Sequence, residues 1–150
     1  MLAVDLILAI LHHLLMFALL AILVMEMMLT RPGIGAETLA RLGSLDIAYG
    51  ATAGLLLAVG IARVFFGLKG PEYYSANVFF WLKIAAFLAV GLLSVSPTRR
   101  ILAWRGRAQT EPGFSPPAAE IAAVRRTMHV EAMVFVLIPV FAALMARNSG

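Results

Sequence analysis

No cysteine occurs in the chain. Disulfides, thiolate zinc sites, iron–sulfur clusters and a cysteine nucleophile are therefore excluded. Charge is scarce too. Only 13% of the 150 residues are Asp, Glu, Lys or Arg, about half the roughly 25% of an ordinary soluble domain. Phosphate loops, a His-Glu-x-x-His zinc motif and a Ser–His–Asp set are also missing, so the familiar constellations of soluble enzymes do not apply. Nothing interleaves aromatic with basic residues as a single-strand binder does, and nucleic acid is not an expected partner.

What is abundant is apolar surface, at 62% of the residues. So little polar surface cannot cover a soluble globule, and lipid is the expected solvent. One domain fits the length. A spanning helix needs about 20 mostly apolar residues, and four stretches supply them: about 6–29, 47–66, 76–95 and 118–146. The expected fold class is all-α, a four-helix transmembrane bundle. The first stretch, Leu6 to Leu29, is broken only by His12, His13 and Glu26. It is longer than a signal peptide's apolar region and lacks a basic lead, so it is read as a retained span. Pro32-Gly33 ends it. A polar helical lead from Ala36 precedes the second. The third is expected to stop before Pro97, leaving a long loop over about 96–117. The fourth begins near Ala118 as an amphipathic lead, with Pro139 as a kink.

Basic residues set the expected orientation. Loop one carries Arg31 and Arg41. Loop three with its helix lead carries Arg99, Arg100, Arg105, Arg107, Arg125 and Arg126. The other side has Lys69 and Arg147. Loops one and three are therefore expected in the cytoplasm of a bacterium, with both termini periplasmic and the chain in the inner membrane.

Charges at bilayer depth cost about 3 kcal/mol or more and mark functional candidates. His12 and His13 in helix 1, Arg63 in helix 2 and Lys83 in helix 3 fall at one level, toward the termini. Glu26, Tyr49, His129 and Glu131 fall at the other. Asp5, His12, Leu19 and Glu26 recur every seven residues, as do Tyr49, Leu56 and Arg63, so each set forms one stripe. His13 points about 100° from His12. Plainer readings exist: Arg63 and Lys83 snorkel to headgroups, His12 bonds a neighbouring helix, and His129 and Glu131 sit solvated at an interface. Gly50 and Gly54 are spaced to let another helix pack closely. Met25, Met27 and Met28 are read as lipid-facing bulk.

His12 with Arg63 and Lys83 also matches the needs of a b-type haem: one axial metal ligand and two cations for the propionates. A second axial ligand is not apparent. The segments His12-His13-Leu14, Ile61 to Gly70, Phe79-Phe80-Trp81-Leu82-Lys83 and Ile138-Pro139 resemble a bacterial family of small predicted membrane proteins with no assigned function. The chain is more distantly similar to the HemJ-type protoporphyrinogen oxidases and the copper-resistance D membrane family. That resemblance implies a haem, with His12, Trp81 and Lys83, and Arg125 with Arg126, in the corresponding places. The competing expectation is a non-enzymatic accessory or assembly subunit. The Gly50–Gly54 face and the basic loop would then be its docking surfaces, in a homo-oligomer or a larger membrane complex. A small transporter is disfavoured by four short helices without a broken pair.

The basic bias predicts that a reporter fused at Gly113 reads cytoplasmic and one fused after Arg147 reads periplasmic. A periplasmic reading at Gly113 overturns the orientation.

Overall fold

A computed structural model describes residues 2–147. They form α1 (Leu2–Leu29), α2 (Ala36–Phe66), α3 (Gly70–Ser75), α4 (Val78–Thr110) and α5 (Ala118–Arg147). All but α3 are long and apolar enough to cross a membrane. The architecture is the expected all-α bundle of four spanning helices. α1 packs chiefly on α2 and α4 on α5, and the two hairpins meet mainly through α2 and α4.

Local chemistry fixes the ends. At the end of α1 the Thr30 N–H and hydroxyl both donate to the Glu26 carbonyl, at 2.9 and 2.7 Å. Gly33 then takes a positive φ of 80° in the turn, a conformation that suits glycine. Arg125 from α5 reaches across to donate to the Met27 and Thr30 carbonyls, at 3.1 and 2.6 Å. A cation thus meets the otherwise unpaired carbonyls of a helix C-terminus. The Asn77 side chain caps α4 by accepting from the Phe79 N–H at 3.0 Å.

Three expectations change. α1 begins at Leu2 rather than Leu6, and the short α3 lies in what reads as a loop, started by Pro71 in its first turn. The larger change is at Pro97. Proline removes one backbone donor and favours a break, yet α4 runs through it to Thr110. The 96–117 loop shrinks to the residues between Thr110 and Ala118. The reason is tertiary. Pro97, Ile101 and Trp104 on α4 are buried, and so are Ile121 and Val124 on α5 and Leu39 and Leu42 on α2. This packing holds the helix where local preference would release it.

At 33 residues α4 is about 50 Å long, against about 30 Å of hydrocarbon. The surplus extends the α4–α5 hairpin beyond that length, and its buried Ile101, Trp104 and Ile121 are continuous with the core of the bundle. Its basic residues are ordered on that hairpin. Arg100 pairs with Glu120 at 3.2 Å, and Trp104 donates to the same carboxylate at 2.8 Å. Arg107 pairs with Glu111 at 2.9 Å, and that hydrogen bond holds the Glu111 carboxyl below its ordinary range. Gly43 makes room on α2 for Arg105, whose Cδ lies 2.5 Å from where a Cβ would stand.

Gly50 and Gly54 do not pack as expected. Nothing lies within 4 Å of where a Cβ would stand at either. They line an open groove of about 420 Å³ between α2 and α4, together with Gly91. Their smallness is unused within the chain. Among the methionines, Met25 and Met28 are exposed to lipid, whereas Met27 packs against the core.

Ile121→Ala empties a fully buried site and is expected to cost about 2–5 kcal/mol. Gly54→Leu is expected to change stability by no more than about 0.5 kcal/mol. Denaturation of both variants in detergent checks this, and a large loss at Gly54 would mean that the groove is closed by another part of the chain.

Candidate functional site

Two polar clusters lie in the bundle, at its opposite ends. His12 and Glu26 are fourteen positions apart on α1, which places them about 21 Å apart along its axis. Leu19, Leu23, Leu56 and Phe135 are buried between the two levels. This apolar belt separates the clusters.

The cluster near the termini holds His12, Arg63 and Lys83, from α1, α2 and α4. His12 and Lys83 line one cavity of about 90 Å³, with Gly60, Phe80, Phe87 and Ile138 among its walls. Arg63 is near enough to act electrostatically on both. Gly60 lets His12 approach α2, since a Cβ there would stand 3.3 Å from the imidazole Cε1. The His12 Nδ1 and Arg63 Nε atoms are buried and have no hydrogen-bond partner. Among the described residues no carboxylate is within ion-pair distance of Arg63 or Lys83. The nearby Asp5 carboxylate instead accepts from the Leu68 N–H at 3.3 Å. The Lys83 ammonium lies 5.4 Å from the Phe80 ring centroid.

Three of the expected site residues thus come together, and Trp81 does not. It lies on the exposed face of α4 and donates to the Ser75 carbonyl at 3.0 Å. Its place beside Lys83 in sequence turns it about 200° around the helix, away from the cavity. His13 also faces outward, with Nδ1 2.6 Å from the Ala9 carbonyl.

The cavity tests the haem expectation. A cavity near 150 Å³ holds a benzene, and pockets for large organic ligands run to about 300–1,000 Å³. At about 90 Å³, the space beside His12 does not admit a porphyrin between the helices as they pack. His129 is at the far end and supplies no second ligand. The cavity as packed is too small for the group, and no chemistry is derived through it.

The second cluster was only partly legible from sequence. Glu26, Asp46, Tyr49 and Glu131 are all buried, at 2, 6, 5 and 1% exposure. They come from α1, α2 and α5. The Tyr49 hydroxyl donates to Glu131 Oε1 at 2.6 Å. Thr98 on α4 donates to Asp46 Oδ1 at 2.7 Å. Glu26 Oε1 is buried without a partner. Among the described residues no Lys, Arg or His forms an ion pair with any of the three carboxylates. The expectation that Glu131 is solvated at an interface is corrected: it is among the most buried residues of the chain. A signal for this was present. Ile121, Val124, Met128, Glu131, Phe135 and Ile138 repeat at alternating three- and four-residue steps, the pattern of a core-facing helix stripe. His129 is off that stripe and exposed, with Nδ1 2.6 Å from the Arg125 carbonyl.

Tyr49→Phe removes the donor to a buried carboxylate and is expected to cost about 1–3 kcal/mol. In a cycle with Glu131→Gln the two changes should couple by more than about 0.5 kcal/mol. Simple additivity in detergent denaturation would show that the bond contributes nothing.

A family profile described as "Predicted membrane protein (DUF2214)" matches residues 4–150. No curated protein and no solved structure matches the chain.

Proposed function

The chain belongs to this family of predicted membrane proteins (DUF2214), and we propose that it is a proton-binding membrane protein whose working site is the Glu26–Asp46–Tyr49–Glu131 cluster. One observation carries the reading: three carboxylates from three helices are buried together, with no cation paired to them among the described residues. Burying an ionised carboxylate unpaired is far costlier than burying its protonated form. Three together add mutual repulsion. The neutral form removes that cost, so the cluster retains protons when the bundle is assembled. Buried carboxylates inside membrane helices commonly serve proton relays in pumps and transporters. Here Tyr49 supplies a hydroxyl that both donates and accepts, and Thr98 supplies a second. A proton moving within the cluster therefore has hydrogen-bonded carriers on α2, α4 and α5.

The basic residues of the α4–α5 hairpin support an orientation in which this cluster lies in the cytoplasmic half of a bacterial inner membrane, with both termini periplasmic. The site then exchanges protons with the cytoplasm, and the apolar belt insulates it from the outside.

A second reading has its own support. The groove of Gly50, Gly54 and Gly91 offers close backbone approach to a spanning helix. A subunit of a larger membrane complex, or a homo-oligomer, would use it. The two readings are compatible, since a proton-binding subunit is one way to serve a complex.

A lipid-soluble carbodiimide tests the first reading, because it adds to protonated carboxylic acids and spares ionised ones. At neutral pH in bilayers, Glu26 or Glu131 should be modified, as mapped by mass spectrometry. Gln at the modified position should abolish the label. Reaction confined to the exposed Glu37, Glu72 and Glu111 would overturn the reading. The chain has no cysteine, so Gly54→Cys gives a clean reporter for the second. Disulfide cross-linking in native membranes supports an interface there, and labelling at the rate of a lipid-facing site contradicts it.

A further inference from the structure

The cationic end of the bundle takes no part in the proton reading, and it lacks a partner that the described residues do not provide. Arg63 and Lys83 have no anion among the described residues, and two polar nitrogens, His12 Nδ1 and Arg63 Nε, are buried without partners. Buried polar groups of this kind are normally satisfied. Three such side chains converging from three helices ask for an acceptor with negative charge.

The surroundings narrow the choice. The cavity is walled mostly by apolar side chains, including Leu57 and Ile61, which are themselves about half exposed on the lipid-facing surface. It therefore opens sideways toward lipid. At about 90 Å³ it is narrow: room for a small head or a single alkyl chain, not a ring system or two chains. His12 stands ten positions into α1, about 15 Å below its described start. A phospholipid brings two acyl chains, which so narrow a cavity does not take. A free inorganic anion gains nothing from the apolar walls.

We propose that this cavity binds the carboxylate of a single-chain amphiphile, a long-chain fatty acid. Lys83 and Arg63 meet the negative charge. The His12 ring nitrogen donates the remaining hydrogen bond. The alkyl chain lies along Leu57 and Ile61 and continues into the bilayer. Gly60 holds the pocket open, because a side chain there would press on the His12 ring.

Binding of oleate to the purified chain in phosphatidylcholine nanodiscs tests this, with methyl oleate and phosphatidylglycerol as comparisons. Oleate should bind saturably, about one per chain. Methyl oleate keeps the tail and loses the charge, so it should bind at least about tenfold more weakly. Lys83→Met keeps the side chain's length and should weaken oleate at least about tenfold as well, while Arg126→Gln at the other end leaves it unchanged. The methyl ester makes the test independent of whether Lys83→Met folds. Equal binding of oleate and its ester, or no saturable binding, overturns the proposal. Displacement of oleate by phosphatidylglycerol also overturns it and reassigns the site to a lipid headgroup. The carbodiimide result at Glu26 and Glu131 is unaffected by any of these outcomes.

Discussion

A carboxylate inside a lipid-facing bundle needs a cation or a proton. That constraint organises this molecule. Glu26, Asp46 and Glu131 occupy core positions where leucine would otherwise stand, and among the described residues no cation is paired with them. The neighbouring Arg125 is spent on the backbone carbonyls that close α1. The hydroxyls of Tyr49 and Thr98 are the polar partners left. A chain selected only for packing would gain by replacing the acids with apolar residues of similar size, as replacement of buried ion pairs often shows. Keeping them costs stability, and the proton they hold is what the cost is for.

The same logic, with the sign reversed, governs the far end. There the cations have no anion among the described residues, and His12, with its unsatisfied Nδ1, lines an apolar cavity. The two buried clusters, one of acids and one of bases, are held about 21 Å apart on α1 by a belt of Leu19, Leu23, Leu56 and Phe135. If the clusters mixed, they would neutralise each other as salt bridges and neither would retain a ligand. The belt keeps them chemically separate. The α4–α5 hairpin is tied to the rest of the bundle through Ile101, Trp104 and Ile121, which belong to the same core.

Much of this was legible in the sequence, for simple reasons. Spans are read from hydropathy, and lipid imposes hydropathy strictly. The convergence of His12, Arg63 and Lys83 followed from depth alone. What was missed depended on a neighbour that one segment cannot show. Pro97 reads as a stop, and only α5 packed against Ile101 and Trp104 explains why the helix continues. Gly50 and Gly54 read as a packing face, and the face exists, but no helix of this chain lies on it. Trp81 was assigned by likeness, and helix geometry turns it the other way. Glu131 was misjudged by its closeness to the water-side end of the span, although the three-four spacing of its stripe already marked it as core. Asp46 follows the same rule: Leu39, Leu42, Asp46 and Tyr49 step by three and four along α2.

The central claim is that the acid cluster holds at least one proton in the folded membrane protein at neutral pH. Solid-state NMR of carboxyl-labelled glutamate and aspartate in bilayers reads this directly, because protonation moves the carboxyl carbon resonance. Assignment comes from Glu26→Gln and Glu131→Gln. The account predicts a protonated carboxyl signal at neutral pH that disappears with one of these two substitutions. Three fully ionised carboxylates at Glu26, Asp46 and Glu131 would contradict it.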